Sequence, residues 1–279
     1  MRTHEKFNAD NSDVTIRSSD DVLFKLHRSN LSVTTGAFPG TEMSTNDEQV
    51  VLSETADVLE IVFDYVYPKR KPFTMENMDF HMLVKVAEAV EKYEVFPAMR
   101  FCERRLRENM EDNALDVLIH AIKHDRRNLI NESSTNLVMG PVIPVIEKLP
   151  LECVVPWVKY HEASKSVFEI PESLVNARDT TQLHCQRGGT LARSTFCRSC
   201  CYYLTTWIMG LENGVEGSLG KTIRNYKGDD YTDCLSCTRG RCINLPAIQE
   251  LLLQKIRAIG PFTSFLNPAE TRDDESTES

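Results

Sequence analysis

Nine cysteines stand in a chain of 279 residues, and seven of them fall between residues 185 and 242. Cys197/Cys200 and Cys234/Cys237 form two C-x-x-C pairs. Such a turn aims two thiolates at one ion about 2.3 Å from each sulfur, and two such turns close a tetrahedral zinc site. Each pair precedes an apolar-striped segment, so one ion would pin two helices together. Thirty-three residues separate the pairs, against roughly fifteen to twenty in zinc ribbons. Cys185, Cys201, Cys242 and His184 add further donors and blur the ligand set. Three readings of Cys197, Cys200, Cys234 and Cys237 stay open: ligands of a structural zinc, reduced thiols that pack, or a redox pair. Cys102 and Cys153 lie on apolar helical stretches and read as core residues.

Other chemistry is thinly represented. Gly214 to Thr222 resembles a phosphate loop, but the motif needs a glycine five residues before Gly220, and Val215 stands there. His161-Glu162 lacks the second histidine of a zinc-protease helix, and no G-x-S-x-G elbow occurs. The first half offers no nucleophile–base set. An enzyme, on this reading, would have to be a zinc- or thiol-dependent one in residues 184–242, with three ligands and a bound water rather than a closed four-cysteine site.

The elements that must position these residues follow from periodicity. Val14 and Ile16 alternate with polar neighbours, as do Val22, Phe24 and Leu26, around the tetrad Ser18-Ser19-Asp20-Asp21. That spacing predicts a β-hairpin with one buried face. Val50-Val51-Leu52 reads as a third strand, and between them lies a short helix ended by Gly36, then a polar loop from Pro39 to Gln49. After Ser53 the period becomes helical. Leu59, Val62, Phe63 and Val66 share a face, and Pro68 stops that helix. Phe80, Leu83, Val84, Ala87 and Val90 share another, with Thr74 as the expected N-cap. Pro97 fits the first turn of a helix that turns Ala98, Phe101, Cys102 and Leu106 inward. Its Arg100, Arg104, Arg105 and Arg107 read as a solvated, ion-paired face rather than a docking stripe. Ala114–Lys123 and Leu129–Met139 are two further helices. Pro156-Trp157 is expected to begin a long one. Leu204, Trp207, Ile208 and Leu211, then Leu245, Ile248, Leu252, Ile256 and Ile259, form two more apolar stripes.

The order of these segments, Asp13-Val14-Thr15-Ile16, Val22 to Arg28, Val50-Val51-Leu52, Val58 to Tyr67 and Leu83 to Ala87, resembles a BTB/POZ domain. The tracts Ser32 to Pro39 and Glu91 to Met99 resemble the BTB proteins of mushroom-forming (basidiomycete) fungi. The resemblance implies an α+β fold, a small sheet packed with helices and followed by a mostly α-helical C-terminal region. It implies self-association near Asp13 and Arg28, with His27 matching the family histidine; His27 reads as a satisfied core imidazole rather than a ligand. It also implies recruitment of protein partners. Cullin-recruiting members continue from the helix phenylalanine into a further apolar turn, whereas Phe38 is followed at once by Pro39-Gly40. Dimerisation therefore carries over more safely than cullin binding.

The resulting division is a flexible N-terminus at 1–12, a BTB/POZ-like domain at 13–110, a helical extension at 111–169, a linker or loop at 170–195, a Cys-bearing helical region at 196–266 and a disordered acidic tail at 267–279. A net charge of −9 argues against a general nucleic-acid or anionic-membrane binder. No apolar leader or membrane-length run occurs, so an intracellular, cytoplasmic or nuclear location is expected. The function read from all of this is a non-enzymatic, homodimerising scaffold that recruits partners, with a ubiquitin-ligase adaptor as its narrower form.

Overall fold

The hairpin Val14–Arg17 (β2) and Val22–Leu26 (β3) anchors the first half of the protein. A computed structural model describes residues 1–38, 49–67, 78–168, 198–213, 218–226 and 245–267. The two strands pair antiparallel, with Val14 opposite Leu26 and Ile16 opposite Phe24. Their turn holds three residues. Asp21 N–H donates to the Ser18 carbonyl at 3.2 Å, and Asp21 takes φ 62°, the bulged form of a three-residue hairpin. The alternation read from the sequence is thus the alternation of burial, with Ile16, Phe24 and Leu26 in the core.

The N-terminus is a correction. The flexible segment expected at 1–12 contains a strand, Arg2–Asn8 (β1). It pairs parallel with β3. Val50–Val51 (β4) pairs parallel with β2, so the sheet has four strands in the order β1-β3-β2-β4 rather than three. Only Phe7 of β1 is fully buried. The strand is seated instead by charge and by rings. Lys6 pairs with Asp64, whose side chain is 3% exposed, and with Glu60 at 3.4 Å. His4 lies 3.4 Å from Glu60 and stacks on Phe24 at 4.7 Å.

Glu60 and Asp64 are one turn apart on the helix Ala56–Val66 (α2), which follows the short helix Arg28–Thr34 (α1). The apolar face of α2 buries Leu59, Val62, Phe63 and Val66. Its first N–H groups need acceptors, and Asp20 from the hairpin turn accepts from Ala56 N–H at 2.8 Å. Phe80–Lys92 (α3) starts at Asp79, whose carboxylate accepts from Met82 N–H at 3.1 Å. Asp79, and not Thr74, is therefore the N-cap, because only a residue immediately before the first turn can reach its orphan donors. Thr74, most of the loop before α3 and most of the loop from Pro39 lie outside the described residues. Phe96–Glu108 (α4) carries Pro97 in its first turn and buries Ala98, Cys102 and Leu106. Three of the four arginines read as an outward face are ion-paired. Arg104 and Arg105 pair with Glu108, and Arg107 pairs with Glu103 at 3.0 Å.

Met110–Lys123 (α5) breaks its helical geometry at Asn113, and two compact units meet there, Met1–Asn113 and Ala114–Ser279. In the second unit every described element is helical. Arg127–Leu137 (α6), Val142–Ile146 (α7) and Leu151–Lys165 (α8) follow, then a 3-10 turn at Ser166–Phe168. Pro156 does not begin α8 as expected but lies inside it. It removes only its own N–H bond to Glu152, near the end where few carbonyls precede it. Buried Trp157 and Tyr160 meet Phe262 at 5.2 and 5.3 Å. Arg198–Asn213 (α9), Leu219–Asn225 (α10), Leu245–Ile259 (α11) and Phe262–Leu266 (α12) complete the unit. The predicted stripes are inward: Leu204, Trp207, Ile208 and Leu211 on α9, and Ile248 and Leu252 on α11, are buried. Among the described residues no helix is long and apolar enough to cross a membrane.

Candidate interaction face

The start of α1 gathers three of the residues singled out from the sequence. A helix exposes unsatisfied N–H groups at its first turn, and His27, the N-cap, supplies no side-chain acceptor. Neighbours do so instead. Asp13, at the entrance to β2, accepts from the Arg28 main-chain N–H at 2.7 Å, while its own N–H donates to the Leu26 carbonyl at 3.1 Å. A carboxylate at this end also opposes the helix dipole favourably. The Asp13–Arg28 contact expected from the resemblance thus runs through the backbone of Arg28, and the Arg28 side chain is buried.

His27 is half-buried and bound to Tyr67. Its N–H donates to the Tyr67 hydroxyl at 2.9 Å, and its Nδ1 lies 3.1 Å from the same oxygen. Burial raises the Tyr67 pKa, against hydrogen bonds from His27 and Asn30 that lower it. The hydroxyl therefore keeps its proton beside the His27 ring. His27 acts as a structural imidazole here.

Phe38 lies at the far end of α1, half-buried and stacked on Tyr93 at 5.0 Å. The chain reaches it through Gly36, whose N–H donates to the Glu94 carbonyl at 3.2 Å. A Cβ at Gly36 would come within 1.8 Å of the Glu94 carboxylate. The outward side of α1 shows Val33, 78% exposed, a residue the sequence reading passed over. Its signal was an aliphatic side chain among Ser29, Ser32 and Thr34 on an otherwise polar face.

One constellation in this unit has the outline of a catalytic dyad. Lys92 Nζ donates to Ser53 Oγ at 2.7 Å and to Glu54 at 2.8 Å. A lysine base must lose its proton. Here the hydrogen bond to Glu54, then Tyr93, raises the Lys92 pKa. Burial pushes Glu54 up, but hydrogen bonds from Lys92, Tyr93 and Ser53 outweigh it and leave the carboxyl below its ordinary value. The group is an ion-pair clasp that ties the start of α2 to the end of α3, with Tyr93 also bonded to Glu54.

The thiols that can be placed are core residues. Burial, aided by Glu91, pushes Cys102 up to about 12, and burial raises Cys153 as well. Neither is a nucleophile at neutral pH. Of the four expected zinc ligands, Cys197, Cys234 and Cys237 lie outside the described residues, and Cys200 falls in the first turn of α9. His161 is half-buried beside the Gly140 carbonyl at 3.4 Å. Lys221 and Thr222 of the phosphate-loop look-alike belong to the seven-residue helix α10.

The first unit is a small mixed sheet packed with α-helices, with the short helix α1 held at its N-terminus by Asp13. Residues 3–110 match the family model for the BTB/POZ domain. Residues 3–110 thus form a BTB/POZ domain, a protein–protein interaction module of a generally non-enzymatic family. No curated protein matches the chain. The matched range opens inside β1, in line with the strand found there, and closes within three residues of the unit boundary at Asn113.

Proposed function

We propose that the protein is an intracellular, non-enzymatic scaffold that self-associates through its BTB domain and recruits protein partners, in the manner of a ubiquitin-ligase adaptor. The observation that carries this reading is the BTB domain itself, with Asp13, Arg28 and Tyr67 fixing α1 so that Val33 faces solvent. A buried apolar anchor at the centre of a contact supplies much of its binding energy. A rigid helix presenting one such side chain loses little entropy on docking. The helical second unit is then free to hold a different partner. The tracts around Phe38 and Glu94 support a place among the fungal BTB proteins, and the Pro39-Gly40 sequence after Phe38 supports weak rather than strong cullin docking.

Light scattering on the full-length chain tests self-association. A dimer is expected at tens of micromolar, on the order of weak-dimer affinities. Val33→Glu should shift the mass toward the monomer with unchanged helical circular dichroism. A wild-type monomer at that concentration overturns the reading. A dimer indifferent to Val33→Glu moves the contact away from α1.

A further inference from the structure

His120 lies in the last turn of α5 and His124 just past its end, one helical turn on. We propose that this pair binds a divalent transition-metal ion of the zinc class, at a place separate from the cysteine cluster. The His124 N–H donates to the His120 carbonyl at 3.2 Å, so helical spacing persists through His124 and both imidazoles leave the same face. Their ring centroids are 4.8 Å apart and inclined by 49°, and a ring nitrogen of one lies within 4.8 Å of a ring nitrogen of the other.

Two imidazoles bound to one tetrahedral zinc at 2.0–2.1 Å place their nitrogens roughly 3.3 Å apart. A modest side-chain rotation closes that difference. Imidazole suits zinc, copper and nickel better than magnesium or calcium, which prefer oxygen.

The surroundings argue both ways and leave a balance in favour. His120 is only 3% exposed, and its helix neighbours Val117, Leu118 and Ala121 are buried aliphatic residues. A dry, aliphatic flank strengthens a metal–ligand bond by lowering the local dielectric. The pair also lies at the C-terminal end of its helix, where the backbone dipole favours a cation. The chain turns at Asp125, φ 48°, an exposed acidic residue next to His124 in sequence. Lys123 and Arg126 flank it in sequence and oppose a second positive charge. Two protein donors leave positions on the ion for water or a further ligand.

Equilibrium dialysis of the full-length chain against micromolar zinc chloride, with bound zinc measured by elemental analysis, tests the site. Four proteins separate it from the cysteines: wild type, His124→Ala, Cys197→Ser/Cys234→Ser, and the combination. His124→Ala should lose about one equivalent in both backgrounds, and the zinc-induced rise in melting temperature of the cysteine variant should vanish with it. His124→Cys, which restores a donor at the same spacing, should recover the equivalent. Unchanged zinc content on His124→Ala in both backgrounds overturns the proposal. So does a loss confined to the cysteine variant, which would put all the metal on thiols.

Discussion

Lys6 and Asp64 show how a single pair can decide the fate of an element. The Asp64 carboxylate is 3% exposed, and an ammonium beside it offsets part of the cost of holding that charge away from water. Lys6 is itself partly solvated, which screens the pair. Lys6→Met should therefore destabilise the BTB domain by about 1–3 kcal/mol, measured by urea denaturation of the full-length chain. Asp64→Asn on top of Lys6→Met should restore part of the loss, since the neutral amide needs no cation. Asp125 acts in the opposite sense. It occupies the left-handed region at φ 48°, where Arg126 N–H reaches back to the Ala121 carbonyl at 2.8 Å to close the helix end. Glycine adopts that conformation without steric cost. Asp125→Gly should stabilise by roughly 0.5–1 kcal/mol, read as a small rise in melting temperature.

At the scale of elements, legibility followed the kind of force that seats each one. The hairpin of β2 and β3 could be read because Val14, Ile16, Val22, Phe24 and Leu26 alternate, and alternation is how one-sided burial writes itself into a strand. The helices α2, α3 and α4 were readable for the same reason at a period near 3.6. β1 was not. Apart from Phe7, its contacts come from His4 and Lys6, and a strand held by charge leaves no hydropathy pattern. Two like charges one turn apart on α2, at Glu60 and Asp64, were the signal that could have found it. α6 hid its buried face differently. Ser133 and Ser134 are fully buried, and the Ser133 hydroxyl donates to the Leu129 carbonyl at 2.6 Å, so polar letters stood where core was built. Of the site, Asp13, His27 and Arg28 adjoin at the start of α1. Val33 was missed because one exposed aliphatic residue carries no period.

At the scale of the whole molecule, the acid response follows from two carboxylates. The hydrogen bond from Ser18, aided by the Ala56 N–H, holds the Asp20 carboxyl below its ordinary value. The clasp with Lys92, Tyr93 and Ser53 holds Glu54 below its ordinary 4.5 despite burial. A depressed native pKa means that the unfolded chain binds more protons in the acid range. The stability these groups contribute is then complete above their unfolded values and is lost as pH falls through the native ones. Stability should fall between roughly pH 5 and 3. Glu54→Gln should lower stability at pH 7 and flatten that descent. Urea midpoints at a series of pH values check this, and a descent as steep in Glu54→Gln as in wild type would assign it elsewhere.

The seat of β1 also sets a clock. Its strand partner Val22 leaves the ribosome twenty residues after Arg2, but Asp64 follows Lys6 by 58 residues. At a synthesis rate of about 5–20 residues per second, Lys6 waits roughly 3 to 12 s for the carboxylate that holds it. For that interval β1 can meet β3 but lacks the carboxylate that holds it. The parallel pairing with β3 gives no short loop to speed its closure. β1 is thus secured well after it is made, once α2 has followed the hairpin. A bulky fusion placed ahead of Arg2 will act on folding yield during this interval, before it can act on the finished molecule.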